Sequence, residues 1–391
     1  MSKGIGSLLP VLPSYWAFRN IGGKGPLPLN FTLSLLYACN SRCKTCNVYE
    51  RKVKIFSVEE YDRFLSTVGR VPYWFTLSGG EPFIRKDIVD IVKVVYERCR
   101  PKIINIPHNG TFPDTTAGRV EQMARACPES EIIINVSLDE LGPKHDEIRQ
   151  TKDNFEMATR TFESLKALDV PNLTVGIHTV ISKFNVENFP NVYRGLTSMN
   201  PDSYITEIAE ERDELQTLGT GITPTIDQYG RAIDFLLSQV RTKRFDGVAR
   251  ITQSFRLEYY KLAKQAVREK RQTTPCYAGW ASCQISPDGD VWPCCIRGES
   301  AGSLRENGYD FPAIWRGERM EGIRRSIRNR ECACPLANAS YTNIMLSPTA
   351  LAKAGVNYLK LSAAAMLRSH DGDGVAPGSI AGPTGAGPAP S

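Results

Sequence analysis

Nine of the eleven cysteines in this 391-residue chain fall into two knots: Cys39, Cys43 and Cys46 near the N-terminus, and six more between positions 276 and 334. In the segment Cys39-Asn-Ser-Arg-Cys43-Lys-Thr-Cys46, three thiols lie within eight residues. Thiolates so spaced can cap three irons of one [4Fe–4S] cubane and leave the fourth iron open to a small molecule. Structural zinc is the rival, but it wants a closed tetrahedral set, typically two close pairs of ligands, and no further Cys or His stands beside this knot. Disulfides fit less well. The cysteine count is odd, no secretory signal opens the sequence, and clustered cysteines in a chain of cytoplasmic character more often hold metal.

The second knot comprises Cys276, Cys283, Cys294, Cys295, Cys332 and Cys334. Asp288-Gly289 is a hairpin-turn signal, so Cys276, just before the first hairpin strand, is expected near Cys294 at the end of the second. Cys332-Ala-Cys334 returns later and can complete a four-thiolate site. Cys99 and Cys127 fall at helix ends and read as packing cysteines.

Other polar residues cluster where strands are expected to end: Ser78-Gly79-Gly80-Glu81-Pro82, His108-Asn109-Gly110-Thr111, and Asn135-Val-Ser137-Leu-Asp139 with Arg149 beyond it. Strands are predicted at 31–37, 74–77, 103–106, 132–138, 173–181 and 204–208, alternating with helices at 57–68, 88–99, 116–126, 155–168 and 186–199. Ser57 and Glu60 form a capping-box pattern at the first of these helices. Repeated βα units imply an α/β fold with a parallel sheet and outer helices, a partial (β/α)6 TIM-type barrel, whose chemistry belongs at the C-terminal strand ends. Glu207, Glu210, Glu211 and Arg212 follow the sixth strand, and a charged surface helix explains that run equally well. His178 on the fifth strand reads as a core histidine slightly better than as a ligand-side group.

With these residues in view, the chain resembles the radical S-adenosylmethionine (SAM) superfamily. C-x3-C-x2-C after the first strand looks like its signature, and Gly79-Gly80-Glu81-Pro82 like its GGEP motif. The resemblance implies that SAM chelates the open iron of a cluster held by Cys39, Cys43 and Cys46. An electron from that cluster then releases a 5′-deoxyadenosyl radical, which abstracts hydrogen. It implies that Gly79, Gly80 and Glu81 hold the SAM amino group and that Asn109 contacts SAM. The Ser137-Leu138-Asp139 to Ile148-Arg149 stretch is similar to the SPASM branch, where the serine and arginine meet the methionine carboxylate and the strand end serves the ribose. A surface ion pair of Arg149 with Glu147 or Asp146 is the bland alternative. The family's aromatic residue before the third cysteine is replaced by Thr45, leaving Tyr49 or Val48 to stand against the adenine.

The second knot resembles the SPASM and shortened twitch extensions. This implies one small cysteine-rich domain with one auxiliary [4Fe–4S] cluster on Cys276, Cys294, Cys332 and Cys334, with Cys283 and Cys295 as alternates and zinc as the runner-up metal. Five segments are expected: an extension at 1–29, the radical SAM partial barrel at 30–225, a helical connector at 226–274, the auxiliary domain at 275–345, and a C-terminal helix with a disordered tail at 346–391. That tail, from Ser369 on, is dominated by Gly, Pro, Ala and Ser.

A closed auxiliary cluster can still carry an electron, which suits dehydrogenation of a sugar, cyclitol or lipid-linked small molecule with Glu207 or Glu210 as the base. The alternative is a peptide- or protein-modifying maturase. A non-catalytic iron–sulfur or zinc protein is the remaining class, although a structural metal needs no SAM pocket. An external one-electron reductant such as flavodoxin or ferredoxin is implied. The net charge of +6, from 48 basic and 42 acidic residues, comes with no long basic block, so no nucleic-acid partner is expected. Arg324, Arg325, Arg328 and Arg330 read as an exposed helix face. No apolar run reaches membrane-spanning length. Peripheral membrane contact through Leu8–Leu12, Tyr15-Trp16 or the helix at 348–368 stays open beside simple packing on the barrel.

Overall fold

The computed structural model describes residues 5–371 apart from 9, 244 and 246. Its strands are β1 (Asn30–Ser34), β2 (Trp74–Ser78), β3 (Ile103–His108), β4 (Glu131–Ser137), β5 (Leu173–Ile181), β6 (Ser203–Ile208), β7 (Ser282–Ile285) and β8 (Val291–Trp292). They form one sheet in the order β6-β5-β4-β3-β2-β1-β7-β8. β1 to β7 pair in parallel, and β8 returns antiparallel along β7. The first six strands match the expected βα series. The last two are the predicted hairpin, and they lengthen the barrel sheet itself: Asn30 to Leu33 lie in register with Ser282 to Ile285. The cysteine-rich region therefore hangs from the barrel by a continuous ladder.

Period-two alternation gives the sheet two unlike faces. Phe31, Leu33, Phe75, Leu77, Ile104, Ile106, Ile132 and Ile134 are fully buried beneath the helices. The other face carries Thr32, Ser34, Thr76, Ser78, Asn105, Asn135, Ser137, His178 and Gln284. On it, the Asn135 amide donates to Asn105 Oδ1 at 2.7 Å and the Gln284 amide to Ser34 Oγ at 3.0 Å. A closed barrel fills its interior with branched apolar side chains. This inner face is polar instead.

The helices are α1 (Leu12–Asn20), α2 (Val58–Val68), α3 (Ile88–Cys99), α4 (Pro113–Ala126), α5 (Pro143–Arg149), α6 (Asn154–Lys166), α7 (Phe189–Thr197), α8 (Ile226–Thr242), α9 (Gly247–Glu269), α10 (Phe311–Trp315), α11 (Glu318–Arg328), α12 (Ala337–Leu346) and α13 (Pro348–Asp371). α2 shows why the barrel helices form. Tyr61, Phe64, Leu65 and Val68 make one buried stripe. The expected capping box closes its start, with Ser57 N donating to Glu60 at 2.9 Å and Glu60 N to Ser57 Oγ at 3.3 Å. α8 and α9, the expected connector, build a second core with α13 against the β5–β6 end of the sheet.

The N-terminal extension packs inward. Leu8, Tyr15 and Phe18 are buried, the Tyr15 hydroxyl donates to the Leu27 carbonyl at 2.6 Å, and Arg19 Nε donates to the Cys276 carbonyl at 2.9 Å. Trp16 remains exposed on the opposite side of α1. Two sequence expectations shift. Arg324 is buried, donating to the Gly279 carbonyl at 2.5 Å and the Trp315 carbonyl at 2.7 Å, so only Arg325, Arg328 and Arg330 form the exposed basic face. α13 runs through Ser369 to Asp371, and the rest of the expected tail lies outside the described residues. Among the described residues, no helix is long and apolar enough to cross a membrane.

Candidate functional site

The first knot occupies the loop that β1 feeds, and the Gly79-Gly80 turn after β2 is welded to it. Leu35 N donates to the Ser78 carbonyl at 2.8 Å, Gly80 N to Leu36 at 2.7 Å and Glu81 N to Ala38 at 3.0 Å. A Cβ on Gly79 would stand 2.2 Å from the Leu36 oxygen, and one on Gly80 would stand 2.1 Å from the Ala38 oxygen. Gly79 also has φ of 121°, so no other residue fits. The glycines thus hold the strand that delivers Cys39.

Glu81 also has a part in the scaffold. Its carboxylate is buried and hydrogen-bonded: one oxygen accepts from Phe83 N at 2.9 Å and meets His108 Nδ1 at 2.9 Å, and the other accepts from Asn109 N at 2.8 Å. It clamps the ends of β2 and β3 together, and the oxygen that meets Asn109 N keeps acceptor capacity beyond that bond. Asn109 is committed as well. Its amide donates to Asn40 at 2.8 Å and Ser41 at 3.2 Å, and its oxygen accepts from Thr111. Both residues shape the cysteine loop from behind.

α5 closes the other side. Lys44 N donates to the Ile148 carbonyl at 2.9 Å, which places Arg149 over the knot. Arg149 pairs with Asp139 at 2.7 Å, and its Nη1 lies 3.8 Å from Cys43 Sγ. The surface carboxylates Glu147 and Asp146 are not its partners. Burial opposes the guanidinium charge, but Asp139 and Cys43 more than offset it and hold Arg149 firmly protonated. Asp139 spends its other oxygen on Val180 N at 2.9 Å. Beside it, burial lowers the pKa of His145 to about 4, so the ring is neutral. Its Nδ1 accepts from Asp139 N at 3.1 Å, which leaves Nε2 to donate to Asn154 at 3.1 Å. Ser137 is half-buried at the end of β4 opposite His178, and its hydroxyl makes no hydrogen bond among the described residues. Cys39, Cys43 and Cys46 are all half-buried, and burial raises each thiol, Cys46 to about 12. Val48 is buried in the wall, and the Tyr49 ring is covered by the Arg42 guanidinium at 4.1 Å.

The second knot assembles from distant segments. Cys276, Cys294, Cys295, Cys332 and Cys334 line one cavity with Ala278, Ile296, Ile327, Leu336 and Ala339. Cys283 is excluded: it faces Phe31 across the β7–β1 ladder, on the apolar side of the sheet. Cys295 stays in contention, since Arg212 Nη1 donates to its sulfur at 3.4 Å. Among the described residues, no three Cys, His, Asp or Glu side chains converge to hold a single metal ion.

Between the knots runs a segment the sequence left ambiguous, residues 207–217. Glu207 Oε1 accepts from Ala337 N at 2.6 Å, and its Oε2 lies 3.6 Å from His178. Arg212 reaches Cys295 and sits 3.5 Å from Glu214, which in turn accepts from Gln284. The Leu215 carbonyl accepts from Asn47 N at 2.9 Å, one residue past Cys46. Glu211 accepts from Gly219 N at 2.7 Å. Glu210, unlike Glu207, Glu211 and Glu214, has no hydrogen-bond partner for its carboxylate among the described residues. Burial, against the pull of Arg212 and with the push of Glu211, raises its pKa from the ordinary glutamate value. This strap ties both thiol clusters to the open edge of the barrel.

Family models match these two regions: the radical SAM superfamily at residues 33–196 and an iron–sulfur cluster-binding SPASM domain at residues 276–335. The chain belongs to the radical SAM superfamily, in its SPASM branch. It is an enzyme whose cofactors are a SAM-binding [4Fe–4S] cluster and an auxiliary iron–sulfur cluster. It is 22% identical over 294 residues to the subtilosin biosynthesis protein AlbA of Bacillus subtilis, covering 73% of this chain and 59% of that protein. It is 22% identical over 302 residues to the mycofactocin maturase MftC of Mycolicibacterium smegmatis, covering 74% of this chain and 70% of that protein. Its fold aligns with SuiB of Streptococcus suis bound to precursor peptide SuiA, with a TM-score of 0.58, 15% identity, and coverage of 82% of this chain and 72% of that one. The same protein bound to S-adenosylmethionine aligns with a TM-score of 0.57.

Proposed function

We propose that this enzyme is a peptide-modifying maturase that removes hydrogen from its substrate. Support comes from the likenesses to AlbA, a bacteriocin biosynthesis protein, to MftC, a maturase, and to SuiB, whose structure is bound to a precursor peptide. The observation that carries it is the open, polar inner face of the barrel, bridged by the 207–217 strap. Such a face offers hydrogen-bond partners for a peptide backbone entering at the strand ends. The dehydrogenation of a small alcohol expected first from the sequence yields to this reading, although the electron accounting is shared.

In the proposed assignment, Cys39, Cys43 and Cys46 hold the SAM-binding cluster, and Cys276, Cys294, Cys332 and Cys334 the auxiliary one. When bound, the first cluster and SAM supply a 5′-deoxyadenosyl radical that takes one hydrogen atom from the substrate. The chain's own residues set the rest. Arg149, oriented by Asp139, presents a guanidinium to the methionine carboxylate, a charge-assisted contact. Ser137 offers a free hydroxyl beside it. Gly79 and Gly80 would offer backbone groups to the amino group. Glu210, unpartnered and with a raised pKa, takes the proton that the substrate loses together with its second electron. Glu207, tied to Ala337, positions the strap.

The test is reconstituted holoenzyme with SAM and reductant, offered the peptide and small-molecule fractions of a cell extract separately. A peptide lighter by two hydrogens, with 5′-deoxyadenosine formed alongside, is the expected result. A mass change confined to the small-molecule fraction contradicts the peptide assignment.

A further inference from the structure

Two histidines at the strand ends have both ring nitrogens spent. His108 meets Glu81 at 2.9 Å through Nδ1 and Thr116 at 3.0 Å through Nε2. His145 accepts from Asp139 N at 3.1 Å and meets Asn154 Oδ1 at 3.1 Å through its other nitrogen. His178 differs. Its Nε2 is buried and has no hydrogen-bond partner among the described residues. Glu207 Oε2 lies 3.6 Å away, too long for a hydrogen bond. A core histidine would be satisfied, so the geometry favours the ligand-side reading of this residue.

A second unspent atom lies on the same face. Asn135 is buried and gives its amide to Asn105 Oδ1 at 2.7 Å, but its own Oδ1 has no partner among the described residues. The register puts the two side chains near one another. Ser137 pairs with His178, and Asn135 pairs with Gly176, two positions earlier on β5. Residues two apart on a strand share a face, so Asn135, Ser137 and His178 all belong to the polar inner face. Gly176 leaves the Asn135 oxygen uncovered, since a Cβ there would stand 2.2 Å from it. On the other side, Val180 pairs with Glu207 of β6, whose Oε1 is tied to Ala337 N at 2.6 Å. The two free atoms therefore sit between Ser137, at the proposed SAM carboxylate site, and the strap that leads to the auxiliary knot.

The chemistry of the pair is specific. The Glu207 carboxylate favours the ring tautomer with its hydrogen on Nε2, which makes that atom a donor, whereas Asn135 Oδ1 is an acceptor. A carboxylate ligand would face the Asn135 oxygen and Glu207 unfavourably, and an ammonium group would leave the ring donor unmet. The two atoms come from different strands and different register positions, so a ligand must present its acceptor and its donor on separate atoms. A peptide backbone does so, and a lone hydroxyl does not.

We propose, resting on the peptide reading above, that His178 and Asn135 contact the substrate backbone: His178 Nε2–H donates to a carbonyl oxygen, and Asn135 Oδ1 accepts from a neighbouring N–H. Glu207 is then a positioning residue, which orients the ring from the auxiliary side.

The experiment follows the ring signals of carbon-13-labelled histidine by NMR in oxidised holoenzyme saturated with SAM. The peptide probe is N-acetylalanine N′-methylamide, which carries two peptide groups and no other polar function, and myo-inositol is the hydroxyl probe. The signal lost in His178→Gln, or in His178→Phe should the first fold poorly, identifies the ring. The peptide probe should shift that signal saturably and leave those of His108 and His145 in place. Asn135→Ala should weaken the probe's binding by about threefold to tenfold, as loss of one neutral hydrogen bond does. Unchanged cluster absorbance and melting check that the variants are folded. A His178 signal that the peptide probe leaves unmoved overturns the proposal, and a parent enzyme that still makes a peptide lighter by two hydrogens then leaves the peptide reading standing. Undiminished binding to Asn135→Ala overturns the paired contact. Binding of the peptide probe only when SAM is absent would place the ring in the SAM pocket and overturn the proposal as well. A shift with myo-inositol in place of the peptide probe contradicts both the proposal and the peptide reading.

Discussion

The two cysteine knots solve the same problem in opposite ways. The first lies in one eight-residue loop, and its neighbours only brace it: the Gly79-Gly80 turn from one side, α5 from the other, and Asn109 from behind. The second exists only after folding, when the segment before β7, the end of β8 and the return at Cys332 to Cys334 meet around one cavity. A local knot can be read from spacing. A dispersed knot can be read only as a set of thiols, and the fold decides which of them belong. Here it removes Cys283 and keeps Cys295 at the wall, held by Arg212.

Separate knots should fail separately, and the largest effect belongs to the first. Cys43→Ala should reduce 5′-deoxyadenosine formation to background while the auxiliary-cluster absorbance persists. Simultaneous loss of both signals would mean that the shared sheet and the 207–217 strap make the knots one cooperative unit. Cys334→Ala should do the reverse: dithionite-driven SAM cleavage continues and modified product disappears. Product formation at normal yield in that variant would remove the auxiliary cluster from the reaction.

Next in size comes the SAM contact. Arg149→Ala should weaken SAM binding by roughly tenfold to a hundredfold, or about 1.5–3 kcal/mol, as expected for one charge-assisted hydrogen bond. Glu81→Ala should act differently, lowering folded stability by about 1–3 kcal/mol because it orphans buried donors on Phe83 and Asn109. A thermal melt and a SAM titration on both variants separate a ligand contact from a scaffold contact. Normal melting of Glu81→Ala together with lost SAM affinity would make Glu81 a ligand contact, the ammonium acceptor expected from the sequence, rather than a scaffold contact.

Much of this was legible because it is local. The thiol spacing, the βα alternation, the Ser57–Glu60 cap and the Asp288-Gly289 turn are each specified within a few residues. What escaped depends on long-range partners. Nothing in a four-residue run such as Ser282–Ile285 announces a parallel ladder with β1, some 250 positions earlier. Glu81 looks like a ligand beside two glycines, and burial also sets its oxygens against the nearest backbone N–H groups. Arg149 found Asp139 rather than its sequence neighbours because α5 turns it inward. Arg324 was grouped with its exposed neighbours, yet it falls on the buried stripe of α11 with Met320, Ile323 and Ile327.

A smaller effect concerns Glu210. As a carboxylate base with a raised pKa, it should work only above that pKa, so product formation should fall on acidification at a higher pH than an ordinary glutamate would give. Glu210→Gln should depress product formation at all pH values and leave SAM cleavage alone. An unaltered pH profile in the variant would move the base elsewhere. The smallest effects should come from the two spare thiols. Cys283→Ala should cost about 1 kcal/mol of stability through core packing and leave both clusters intact. Cys295→Ala should also keep both clusters if the four assigned ligands are right, and loss of auxiliary absorbance there would exchange Cys295 for one of them.

The most direct measurement is iron content in two complementary variants reconstituted anaerobically, Cys39→Ala/Cys43→Ala/Cys46→Ala and Cys276→Ala/Cys334→Ala. The parent should hold about eight irons as two [4Fe–4S] clusters, and each variant about four, in a cluster whose spectrum matches the half that was left. Stoichiometric zinc in the C-terminal cavity, or a variant that loses all its iron, would contradict the account of two separate iron–sulfur centres on one barrel.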